Sequence, residues 1–67
     1  MLKFKIKGKK LDDSEEVEPY FLGWYDTEFS CRSAAFELSK THYNTICYKQ
    51  DSNGVFYSFK EFKARVN

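Results

Sequence analysis

Thr45-Ile46-Cys47-Tyr48-Lys49-Gln50, then Asp51-Ser52-Asn53-Gly54, then Val55-Phe56-Tyr57, is the stretch that decides the fold. Two runs rich in β-branched and aromatic residues flank a cluster of turn formers, and Asn-Gly supplies the positive φ angles that tight turns need. A β-hairpin follows. A loop of two or four residues keeps one parity: Ile46 and Tyr48 share a face with Val55 and Tyr57, while Lys49 and Phe56 point the other way.

Working upstream, the period changes. Cys31, Ala34, Ala35, Leu38 and His42 recur at helical spacing along one stripe, which predicts a helix over 31–43 with Ser30 as N-cap and Asn44 as terminator. Its two alanines let the axis come close to a sheet. Before it, Pro19 introduces Tyr20-Phe21-Leu22-Gly23-Trp24-Tyr25, a second strand in which Tyr20, Leu22 and Trp24 share one side and Phe21 and Tyr25 the other. Gly23 marks a bulge or a close backbone approach. The first strand covers residues 2–7, where Leu2, Phe4 and Ile6 alternate with Lys3, Lys5 and Lys7 until Gly8 ends the pattern. The acid-rich loop that follows carries Asp12, Asp13, Glu15, Glu16 and Glu18.

Downstream of the hairpin, Ser58-Phe59-Lys60-Glu61 matches a capping box, and Phe59, Phe62 and Val66 repeat at helical spacing. A short C-terminal helix is expected, with continued strand as the alternative. The whole is one α+β domain over residues 1–67: a small antiparallel sheet of three to four strands packed on one main α-helix, with a short C-terminal helix.

Sixty-seven residues with a formal net charge of +1 exclude both a polycationic nucleic-acid tail and a polyanionic DNA mimic. No apolar run reaches membrane-spanning length and no leader pattern opens the chain, so a cytoplasmic protein without membrane contact is expected. Cys31 and Cys47 lack the spacing of a zinc knuckle or a redox motif and are expected as buried free thiols. His42 stands eleven positions after Cys31, about 16 Å along a helix axis, too far for a dyad. The run from Asp12 to Glu16 lacks the glycine and the spaced glutamate of a calcium loop. No catalytic residue, metal site or cofactor is therefore expected.

What remains is surface. Seven Phe, five Tyr and one Trp are more rings than so short a chain can hide, and exposed aromatic clusters mark partner sites. The sheet face opposite Leu2, Phe4 and Ile6 is expected to gather Lys3, Lys5, Lys7, Phe21, Tyr25, Lys49 and Phe56. Phe36 and Tyr43 add a second apolar surface on the helix, away from its core stripe. The first functional expectation is a non-enzymatic protein-binding module that docks on and blocks a larger protein. The alternative is single-stranded nucleic-acid binding, with bases stacked on Phe21, Tyr25 and Phe56 and phosphates on Lys3, Lys5, Lys7 and Lys49. Against the alternative stand the loop acids and the missing aromatic motif of common RNA-binding sheets. A free edge strand would also allow a homodimer by strand addition.

Phe21-Leu22-Gly23-Trp24-Tyr25, followed by one helix and a hairpin, resembles the plan of small early host-takeover proteins of tailed bacteriophages, including the Dmd-type phage antitoxins. The resemblance implies a compact, cytoplasmic, non-enzymatic inhibitor of a host factor, and makes Trp24 and Tyr25 contact candidates. From its position on the same strand face as Leu22, a single tryptophan is expected first as the natural centre of a small core, with the contact role as the alternative.

Overall fold

A computed structural model describes residues 3–41 and 43–65. Leu2, His42 and Val66, to which the sequence patterns assign a strand face, a helix end and a last helical turn, lie outside the described residues. The chain runs β1 (Phe4–Lys10), β2 (Tyr20–Tyr25), α1 (Glu28–Ser39), β3 (Tyr43–Gln50) and β4 (Phe56–Phe62). The strands form one antiparallel sheet in the order β2-β1-β3-β4, so two hairpins lie side by side and α1 carries the chain from one to the other. The helix packs mainly over β3.

The helix starts earlier than its apolar stripe suggests, because the cap is Thr27 and not Ser30. Thr27 has extended backbone, and its hydroxyl accepts from the amide of Ser30 at 3.1 Å, which satisfies a first-turn donor. Glu28 adds a negative charge at the positive end of the helix. The helix also stops earlier, at Ser39, so Asn44 terminates nothing: it lies in β3, where its side-chain oxygen accepts from the amide of Ala64 at 2.7 Å. Tyr43 likewise belongs to β3, paired with Lys10, and not to the helix surface.

The expected stripe does face the sheet. Cys31 and Ala35 are fully buried against Phe4, Ile6 and Cys47, with Ala34 and Leu38 packed around them. These small side chains bring the helix close enough for the buried Thr45 hydroxyl to donate to the Ala35 carbonyl at 3.0 Å. The first strand runs on through Gly8 to Lys10. Gly8 is a close approach rather than a stop, since a Cβ there would stand 2.7 Å from Leu22 Cδ1 and 3.0 Å from the Asn44 carbonyl oxygen.

Two bulges set which side chains face which way. In β2, Ile6 lies opposite Gly23 and Lys7 opposite Phe21, leaving Leu22 as the extra residue, and Gly23 takes φ +143°. Simple alternation therefore fails: Leu22 and Tyr25 turn to the helix side, while Phe21 and Trp24 come together on the other. In β4, Cys47 faces Lys60 and Tyr48 faces Ser58, so Phe59 is the extra residue. Phe59 and Phe62, three apart, thereby both reach the core, and their helix-like spacing arises from a bulged strand. No C-terminal helix forms among the described residues, because residues 56–62 complete the ladder along β3.

The hairpin loop also differs from expectation, with five residues, 51–55, between Gln50 and its partner Phe56. The Asp51 carboxylate accepts from the amides of Asn53 at 2.8 Å and Val55 at 2.9 Å and so holds a wider turn, in which only Gly54 takes a positive φ. An odd loop inverts the parity. Phe56 shares the face of Tyr48 and Ile46, and Tyr57 pairs with Lys49 on the opposite one.

Ile6, fully buried at the centre of this small core, is the sensitive position. Ile6→Ala is expected to cost about 2–5 kcal/mol through lost contacts and a residual cavity. Phe29→Ala, on a side chain 82% exposed, is expected to stay within about 0.5 kcal/mol. Thermal and urea melts followed by circular dichroism would compare them, and equal melting points would contradict this core.

Candidate partner-binding face

Helix α1 covers one side of the sheet, and among the described residues no element covers the other. Strand register places Lys5 beside Trp24 and Tyr48 on this open side, Lys7 beside Phe21 and Ile46, and Gln50 beside Phe56. Trp24 and Phe56 come from β2 and β4, the two edges, with two strands between them. Their rings nevertheless meet at 5.7 Å between centroids, tilted by 51°, and Phe21 packs on Trp24 at 5.3 Å and 56°. Each ring therefore lies inward over the central strands instead of standing up into solvent.

Lys5 holds the middle of this cluster. Its ammonium is 4.1 Å from the Phe56 centroid, 5.7 Å from Tyr48 and 5.9 Å from Trp24. Cation–π attraction of about 0.5–1 kcal/mol per well-placed ring at exposed sites fixes the head group, while the stem lies along apolar surface. Lys7 approaches Tyr48 at 5.9 Å. The described ion pairs are Arg32 with Glu28, Lys40 with Glu37 and Lys63 with Glu61, so neither Lys5 nor Lys7 has a carboxylate partner among the described residues. Phe21 and Trp24 remain 51% and 46% exposed.

The acidic β1–β2 loop flanks one end of the same face. Lys9 Nζ donates to the Ser14 carbonyl at 2.8 Å, and the amide of Lys10 donates to the Asp13 carboxylate at 3.1 Å. A shallow cavity separates Asp13, Glu15 and Pro19 of the loop from Ile46, Glu61 and Lys63 of the sheet side, where Glu61 lies opposite Ile46 and pairs with Lys63 at 2.9 Å.

Of the expected contact residues, Phe21, Trp24 and Phe56 come together with Lys5 and Lys7. The others do not join them. Tyr25 packs against the core, because the β2 bulge turns it to the helix side. Lys49 pairs with Phe4 and Tyr57 on that same side, a consequence of the β1–β3 register, and the odd loop parts it from Phe56. Lys3 is exposed before β1, and its carbonyl accepts from the amide of Gln50 at 2.8 Å. Phe36 sits on the helix, edge-on to Phe62 at 5.9 Å and under the Arg65 guanidinium at 4.0 Å. Tyr43 lines a separate shallow cavity with Leu11 and Thr41. Tyr48 and Ile46 were not expected on the open face, and the Asp51 carboxylate beside Asn-Gly was the available signal for a wider loop. The two faces also do not share Phe36 and Tyr43 as one helical surface.

The chemistry available elsewhere is limited. Both thiols are free and buried; Cys31 Sγ lies 3.6 Å from the Lys5 carbonyl oxygen. Burial, with Cys47 as a neighbour, pushes the Cys31 thiol up to about 12, and burial also raises Cys47. Among the described residues no three His, Cys, Asp or Glu side chains converge as a metal site would require. No described helix is long and apolar enough to cross a membrane. Comparison with known proteins finds no match to a family, to a curated protein or to a solved structure.

The thiols supply a signed pH dependence. Below the ordinary value of 9.0 both folded and unfolded chains keep these protons, and the contribution to stability is complete. Above it the unfolded chain ionises first, so stability falls as pH rises, for Cys31 from 9.0 toward about 12 by up to ~1.4 kcal/mol per pH unit, and Cys47 adds a loss of the same sign. Urea midpoints across this window are expected to fall less steeply in Cys31→Ala/Cys47→Ala than in the parent. Parallel slopes would place the thiols in water.

Proposed function

We propose that this chain is a non-enzymatic protein-binding module that docks its open sheet face on a larger protein, acting as a phage-encoded inhibitor that blocks a host factor. The observation that carries this reading is the gathering of Phe21, Trp24 and Phe56 over Lys5 on a face that no described element covers. Large rings packed at the centre of a patch are the usual anchors of protein interfaces, since they bring much apolar area at little entropy cost. Both edge strands are bulged, which disrupts the regular ladder that a second copy would need for edge pairing and favours the face over an edge.

Two further features support the assignment. Both cysteines hold their protons in the core, which removes them as nucleophiles. The rings tilt against one another by 51–56°, with Lys5 over Phe56, so they do not present one parallel set of faces to successive bases. The blocking role rests on the resemblance carried by residues 21–25 to small phage early proteins.

Affinity capture with the tagged chain from a bacterial host lysate, read by mass spectrometry, tests the docking face. Phe21→Ala/Phe56→Ala is expected to reduce the captured partner by at least about tenfold, the loss for ~1.4 kcal/mol. Phe36→Ala, on the opposite layer, is expected to keep it. Equal capture by both variants, or micromolar and steeply salt-dependent binding of single-stranded RNA or DNA in a mobility-shift titration, would overturn the proposal.

A further inference from the structure

We infer that the segment this face accepts is acidic: a stretch of protein that sets carboxylates beside apolar side chains, the carboxylates meeting Lys5 and Lys7. The inference rests on the docking proposal above and specifies its partner chemistry. Any occupant lying on Phe21, Trp24 and Phe56 strips water from the ammonium group among them. Desolvating a cation without an anion costs several kcal/mol, so a purely apolar segment is penalised and a cationic one repelled. Neither Lys5 nor Lys7 has a carboxylate partner in the described chain, so both charges are left for the occupant to neutralise.

Lys5 is also held in advance. Three rings within 6 Å fix its head group, so less side-chain entropy is lost when it pairs than for a lysine free in water. A nucleic acid is the other polyanion, and the ring tilts already described count against it.

Trp24 is the single tryptophan, so tryptophan emission comes from this patch alone. The full chain would be titrated with a random glutamate–tyrosine copolymer, a lysine–tyrosine copolymer and oligo(dT), exciting beyond the tyrosine band. The glutamate copolymer is expected to shift Trp24 emission saturably, and the lysine copolymer to leave it unchanged. Lys5→Glu/Lys7→Glu is expected to weaken the glutamate copolymer by at least about tenfold, as loss of a charge-assisted contact implies. Should removing Lys5 from among the rings prevent folding, Lys7→Glu alone carries the same test from the margin of the cluster. No response to the glutamate copolymer, or an equal response to the lysine copolymer, would overturn the acidic partner. Capture from lysate that depends on Phe21 and Phe56 but ignores Lys5 and Lys7 would remove this inference and leave the docking proposal standing. Tighter binding of oligo(dT) at equal ionic strength would remove both.

Discussion

A single twelve-residue helix, some 18 Å long, lies across one side of a four-stranded sheet and leaves the other side to its own side chains. The helix meets the sheet through Cys31, Ala35 and Ser39, side chains so small that the layers close tightly and the space between them stays narrow. That narrowness governs where the aromatic residues go. Among the described rings only Phe4 is fully within the core, while Phe59 and Phe62 close its rim. Trp24, opposite Lys5, lies on the open face, where Phe21 and Phe56 join it.

On that face the rings shelter one another. Trp24 and Phe56 reach from opposite edges to meet over the central strands, which removes apolar area from water without a second helix. Lys5 completes the arrangement, its charge lying close over Phe56 and its stem filling space between strands. A face made only of exposed rings would invite aggregation, and a cation at its centre counters that.

The outline of this fold was legible in the sequence, and the orientation of its side chains was legible only in part. Strict alternation from Phe4 to Lys7, the Cys31-Ala35-Leu38 stripe and the turn residues near Gly54 each report a local preference, and each corresponds to a real element. Alternation stops being a guide where a strand takes an extra residue. Phe21 with Trp24, Leu22 with Tyr25, and Phe59 with Phe62 are all spaced by three, a spacing that reads as helical but in a bulged strand returns two side chains to one face. The same spacing suggested a terminal helix, whereas pairing with β3 makes the segment a strand. Thr27 lay outside the apolar stripe, and the loop width hung on one carboxylate, Asp51, whose bonds to the amides two and four residues on compete with the tight Asn-Gly turn.

The β2 bulge links these levels. With Trp24 held opposite Lys5, a regular strand would send Phe21 toward the helix and Leu22 outward. The extra residue exchanges them: Leu22 drops onto Gly8, where no Cβ competes for the space, and Phe21 moves beside Trp24. One irregularity thus fills the core with an aliphatic side chain of suitable size, gives the open face a ring beside Trp24 and interrupts an exposed ladder. The positive φ of Gly23 makes that exchange possible without the strain a side chain would bring, which ties the composition of the face to a single backbone position at the sheet edge.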